Sequence, residues 1–176
     1  IKKEFTNKIN LSYILSILNS NLLTYIVRQN KITNAQAFPQ ILMSDLNSLK
    51  VPINTNLDQQ PFIERADLML NLHKDLQSIV SKFLALLESE LGLEQESKKM
   101  QDWYLLSFGE FTAELKKQKI ELSLAQKSEW MDFFEAEKAK ATTIKSEIDQ
   151  TDAEIDQMVY ELYGLTEEEI AVVENG

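Results

Sequence analysis

EIDQTDAEIDQMVYELYGLTEEE, residues 147–169, spells EIDQ twice, at 147–150 and again at 154–157. A seven-residue repeat is the signature of a helix that packs along one stripe. Taken back to Ile144, the stripe positions are Ile144, Ile148, Thr151, Ile155, Met158 and Leu162, spaced 4, 3, 4, 3, 4. Met69, Leu72, Leu76, Ile79, Phe83 and Leu86 repeat the pattern earlier in the chain, spaced 3, 4, 3, 4, 3. Two seams of similar length with an insert between them predict a long antiparallel helical hairpin. Glu147, Asp149, Glu154 and Asp156 flank the second seam. Like residues lie two turns apart, about 10 Å by helical rise, whereas carboxylates that share a metal converge at i, i+3 or i+4. We therefore read these acids as a solvated or partner-facing helix edge.

The edges of the hairpin are marked by helix punctuation. Gly92 and Gly164 are stops just past the two seams. Ser107-Phe-Gly-Glu110, Ser123-Leu-Ala-Gln126 and Thr166-Glu-Glu-Glu169 are capping boxes, in which a hydroxyl and a carboxylate or amide three residues on satisfy each other's backbone N–H. Trp103, Tyr104, Phe108, Phe111, Trp130, Phe133 and Phe134 gather near the insert and predict an aromatic cluster there. These signals place a first helix at about 57–92, an insert at about 93–123, a return helix at about 124–163 and a short last helix at about 167–174.

The first third has another texture. NLSYILSILNSNLLTYIVRQN (10–30) has the apolar spacing of one buried helix. FPQIL (38–42) and LKVPI (49–53) are extended candidates, with a short helical turn between them, and Pro52 confines the second to an edge or loop. The expected fold is thus mainly α, with a small mixed α/β lobe at 1–56 and the helical spacer at 57–176.

Composition narrows the function. The 176 residues are 44% hydrophobic, enough for a core, and contain no Cys, so disulfides and thiolate metal sites are excluded. The absence of Cys leads us to expect a reducing cytoplasm, no run approaches the roughly 20 apolar residues of a membrane span, and from the start at Ile1 we expect a piece of a longer protein. The net charge of −10 is unevenly spread. Residues 1–56 carry six Lys/Arg against two Asp/Glu, 57–100 five against eight, and 101–176 seven against eighteen, giving +4, −3 and −11. A polyanion would meet the first third. Lys8, Arg28, Lys31 and Lys50 suit phosphates there, and Asn34, Gln36 and Gln40 suit base edges. His73, the one histidine, sits beside Leu72 as a half-buried flank, with no nucleophile motif near it. No phosphate-cradling glycine loop is present. Glu96-Ser-Lys98 and Glu114-Leu-Lys116 lack the preceding Pro-Asp of a nuclease site. We expect no catalytic residue and no metal in this chain.

DAEIDQMVYELYGLTEEEIAVVE (152–174) closely resembles the ending of type IIG restriction–modification proteins and related adenine DNA methyltransferases. YILSILNSNLLTYIVRQ (13–29) is similar to their LNS helix. FPQILMSDLNSLKVPI (38–53) resembles the segment where they, and type I specificity subunits, enter a helical spacer. WYLLSFGEFTAELKKQKIELSLAQKSEWMDFFEAEKAKA (103–141) resembles an insert some of them carry in that spacer. The resemblance implies the latter part of a C-terminal target-recognition region, non-catalytic by itself. Its partners would be double-stranded DNA and the methyltransferase and nuclease domains of the same parent chain, a type IIG endonuclease and N6-adenine methyltransferase. Those missing domains would use S-adenosylmethionine and magnesium; this chain would bind no cofactor. The competing class is a structural helical hairpin whose partners are proteins. In either reading the seam of the helical pair is Met69, Leu72, Leu76, Ile79, Phe83, Ile144, Ile148, Ile155 and Leu162.

Overall fold

A computed structural model describes residues 9–31, 50–52, 58–95 and 97–176. The chain is mainly helical. In order it forms α1 (Leu11–Asn19), α2 (Asn21–Lys31), α3 (Gln60–Leu91), α4 (Lys98–Gln101), a 3₁₀ turn (Trp103–Leu105), α5 (Phe108–Lys117), α6 (Leu124–Tyr163) and α7 (Glu167–Asn175). Contacts divide it into two compact units, one of residues 1–69 with 150–176, the other of residues 70–149. α3 and α6 each contribute residues to both.

In the unit of 70–149 the core is built on Phe83. Its ring stacks on Trp103 with centroids 3.7 Å apart and meets Phe111, Trp130, Phe133 and Phe134 within 6.4 Å. Trp103, Phe111 and Phe134 are fully buried. Large aromatic rings gain both from buried area and from offset or edge contact, which favours gathering them at one point. Leu72, Leu76, Phe83 and Ile148 are buried in this unit, and Ile79, Leu86 and Ile144 are half-buried. Leu84 and Leu87, off the stripe, are buried as well. The insert residues Trp103, Phe111 and Leu115 supply apolar area that a single partner helix cannot, so α3 buries a wider face there. His73 is exposed rather than half-buried, because it lies on the face opposite this packing.

In the other unit one cluster holds Tyr13, Ile17, Leu22 and Leu23 of the first two helices, Phe62 of α3, Ile155, Val159 and Tyr160 of α6, and Val173 of α7. Met69, Met158 and Leu162 are half-buried against it. Tyr13 meets Phe62 edge-on at 5.2 Å.

All three capping boxes close. Ser107 and Glu110 satisfy each other, as do Thr166 and Glu169. Ser123 N–H donates to Gln126 Oε1 at 3.0 Å, and Gln126 N–H donates to Ser123 Oγ at 3.3 Å. Gly92 and Gly164 both adopt φ +69°, and the following N–H groups reach back to Leu87 and Tyr160 carbonyls. Glycine takes this left-handed conformation without the Cβ clash that other residues meet. The third helix end of this type, after α5, is Lys119 at φ 63°.

Two expectations change. The helix over 10–30 is two helices, broken at Ser20, whose ψ of 154° is extended. Among the described residues there is no strand. The candidate at 38–42 lies outside them, and Lys50–Pro52 of the second forms none. The Lys50 and Pro52 carbonyls accept tyrosine hydroxyls rather than strand neighbours.

Phe83→Ala should cost about 3–5 kcal/mol, because the cavity it leaves is lined by rings that cannot collapse into it. Gly164→Ala should cost about 1 kcal/mol by forcing a Cβ into left-handed backbone. Urea unfolding of both variants measures this.

Candidate nucleic-acid interface

The break between α1 and α2 organises the basic first third. Ser20 ends α1, its N–H donating to the Ile17 carbonyl at 3.1 Å, and its own carbonyl receives Thr24 N–H at 3.0 Å as α2 starts. The first N–H groups of a helix lack internal partners and carry partial positive charge. A local capping box would need an acid or amide at residue 23, and Leu23 stands there. The carboxylate comes from α6 instead. Asp156 accepts Asn21 N–H at 2.7 Å and Asn21 Nδ2 at 2.6 Å, from 135 residues away.

Asp156 belongs to the second EIDQ, whose acids were expected to face water or a neighbouring domain. It is buried, with 6% of its surface exposed. That burial pushes its carboxyl up to about 6; Asp152 and Glu174 push the same way and the Asn21 N–H resists. Tyr160, one turn on, is buried beside it. Glu154 of the same repeat is half-buried and accepts Arg65 Nε at 2.9 Å, which holds its carboxyl below the usual range.

Further polar ties fix the rest of this unit. Tyr163 donates its hydroxyl to the Lys50 carbonyl at 2.7 Å, and Tyr13 donates to the Pro52 carbonyl at 2.8 Å. The Tyr13 hydroxyl is pushed up to about 12 by burial, then by Tyr163, so it stays a donor throughout the neutral range. Asn10 N–H donates to Gln59 Oε1 at 3.0 Å, and Ser12 Oγ to Asp67 Oδ1 at 3.0 Å.

On this scaffold Arg28 of α2 and Lys50 are exposed. Lys31 is the last residue of α2. Lys8, Asn34, Gln36 and Gln40 lie outside the described residues. The open groove beside α2, about 700 Å3, is lined by Leu22, Tyr25, Ile26, Tyr163 and Val172, with Glu168 and Glu169 among its acids. Its apolar and acidic lining does not suit phosphate. Among the described residues no group of His, Cys, Asp and Glu is placed to hold a metal ion, and no helix is long and apolar enough to cross a membrane.

Asp156, Tyr13 and Tyr163 do not stand out in the sequence as candidate site residues. No local signal marks Asp156, because the apolar spacing of 10–30 runs through Ser20 and does not show that a helix starts there.

Residues 55–159 match the family model described as a domain of unknown function, DUF8810. Residues 1–53 match the TaqI-like C-terminal specificity domain. The resemblance to the C-terminal specificity region of a type IIG restriction–modification enzyme therefore holds, and the segment that shows it is the first third. No curated protein and no solved structure matches the chain.

Asp156→Ala should destabilise the chain by about 1 kcal/mol through loss of the cap. Because the folded pKa is raised, the folded state holds the Asp156 proton more tightly than the unfolded state does. Its contribution is fully present below the unfolded value of 3.8 and is lost as pH rises through about 6. Asp156→Asn, which has no proton to lose, should thus gain stability relative to the unaltered chain between pH 4 and pH 7. Denaturation midpoints of both proteins across that range check the sign.

Proposed function

The chain belongs to the DUF8810 family through residues 55–159, and we propose that it is the sequence-recognition module of a restriction–modification enzyme or DNA adenine methyltransferase. One observation carries this reading. The TaqI-like specificity match falls on residues 1–53, the same segment that holds the positive charge of an otherwise acidic chain. In the proposed division, residues 1–56 are the latter part of the DNA-reading lobe and 57–176 a helical spacer with α3 and α6 antiparallel. Lys8, Arg28, Lys31 and Lys50 supply phosphate contacts, which give affinity and register but little sequence information. Asn34, Gln36 and Gln40 are the base-reading candidates, since amide side chains pair with the adenine edge in the major groove.

The spacer contributes by fixing the lobe. Asp156 sets the start of α2 and Tyr163 holds the backbone at Lys50, while Tyr13, within the lobe, holds that at Pro52. A recognition element that is already positioned loses less entropy on binding than one that must be ordered. The module performs no catalysis itself. Methyl transfer and cleavage belong, in this reading, to parent domains of a type IIG enzyme that use S-adenosylmethionine and magnesium.

The test is an exchange. Residues 1–53 of the parent protein are replaced by those of a relative that recognises a different sequence, and the methylated sites are mapped. The methylated sequence should change with the segment. An unchanged sequence would overturn the reading. In the unaltered chain, Arg28→Ala with Lys50→Ala should weaken duplex binding about equally for all sequences and lower the salt slope by about one for each phosphate no longer neutralised.

A further inference from the structure

The groove beside α2 has two helical walls. Leu22, Tyr25 and Ile26 of α2 line one, and Glu169, Val172 and Val173 of α7 line the other. Each set stands at i, i+3 and i+4, so each wall runs along a helix axis. Leu22 and Val173 are buried, Tyr25 and Ile26 are half-buried, and Val172 is 55% exposed. Most large apolar side chains of α2 and α7 thus meet a neighbour, whereas Val172 faces open space across the groove from α2. A trough of about 700 Å3 with apolar walls of this period has the form in which an amphipathic helix lies.

Charge selects the occupant. Residues 150–176, which run from the end of α6 through α7, hold eight Asp/Glu and no Lys, Arg or His. Acids in the first turn of α7 suit its dipole, which accounts for Glu167, Glu168 and Glu169. The same dipole favours cations in the last turns of α6 and α7, and neither turn has one. Helix preference therefore leaves the one-sided charge unexplained. Some of these acids are engaged: Glu154 by Arg65, Asp156 by Asn21, and Glu169 by the Thr166 N–H. Glu168 lines the trough and is exposed, next to the exposed Glu167. Among the described residues, none of those lining the trough is Lys or Arg. A helix with Lys or Arg beside its apolar face complements such a wall; a phosphate backbone is repelled by it.

We propose that the trough between α2 and α7 docks a basic amphipathic helix of a protein partner. Its apolar face meets Tyr25, Ile26 and Val172, and its Lys or Arg flank meets Glu167 and Glu168. The site lies beyond the recognition reading and does not depend on it.

The experiment uses the 176-residue chain and a labelled synthetic helix of roughly 18 residues, with Leu on one face and Lys on the other. Anisotropy is read at about 0.15 M salt, where long-range attraction between exposed charges is screened. Two further peptides serve as controls, one of the same composition in scrambled order and one with Glu in place of Lys. The patterned Leu/Lys helix should bind at least about tenfold more tightly than either control. Val172→Asp should weaken it about tenfold, since a charge then faces the apolar side of the helix. Val172 is exposed, so the fold should survive; Val172→Ser gives the same reading in milder form should the urea midpoint fall. Glu167→Gln with Glu168→Gln should weaken binding and reduce its salt dependence. Glu129→Gln with Glu135→Gln, which removes the same charge from another part of the chain, should leave both unchanged. No binding by the patterned helix overturns the proposal. So does binding that Val172→Asp and Val172→Ser leave unaltered, equal binding of the Glu peptide, or equal loss in the Glu129/Glu135 variant. Sedimentation of the unaltered chain tests the other occupant: a dimer that Val172→Asp dissociates would assign the trough to a second copy and overturn the proposal.

Discussion

The contact on which the recognition end of the molecule depends is a carboxylate from α6 placed over the first turn of α2. Four N–H groups at a helix start need acceptors, and burial makes an unmet donor costly. Ser20 Oγ accepts Leu23 N–H, and Asp156, from the far part of the chain, accepts Asn21 N–H. In doing so it fixes where α2 begins and against what it packs. The Asp156 charge is itself held in a desolvated place, as its raised pKa shows. Such a contact adds little net stability but penalises wrong arrangements strongly, since a shifted α2 would leave a buried carboxylate without partners.

Around that contact the same logic recurs with neutral groups. Tyr13 and Tyr163 give their hydroxyls to carbonyls at Pro52 and Lys50, and both rings are part of the apolar packing. Each tyrosine thus buries area and satisfies backbone with one side chain. Lys50 and Pro52, which lie in no strand, thus have their carbonyls paired. The backbone at Lys50 is thereby tied to α6, and residues of the two matched segments, 1–53 and 55–159, share one core: Tyr13, Ile17, Leu22 and Leu23 pack with Phe62, Ile155 and Val159.

The aromatic end follows a different principle. Phe83 gathers the rings of the insert and of α6 into one cluster, which gives short helices a place to pack that they could not make alone. The closed caps at Ser107 and Ser123, and the left-handed residue at 119, then fix where each piece stops.

Much of this was legible in the sequence because it is local. The boxes at Ser107, Ser123 and Thr166 and the stops at Gly92 and Gly164 depend on residues within four positions of one another, and each has the geometry its residues imply. The stripe of Leu72, Leu76 and Phe83 and the burial of Ile148 and Ile155 follow from period alone. What the sequence could not reveal is non-local. Spacing read residues 10–30 as one helix, since apolar periodicity runs through Ser20 and shows neither the cap of Leu23 N–H by Ser20 Oγ nor that of Asn21 N–H by the distant Asp156. Periodicity also marked Asp156 as an outward acid, one step from Ile155. It is buried because the first two helices cover that side of α6 as well as the seam side, and the burial of Val159 and Tyr160 has the same origin. Heptad spacing determines which face of a helix is apolar, but how many neighbours it has, and therefore how much more of it leaves water, is decided by tertiary packing alone.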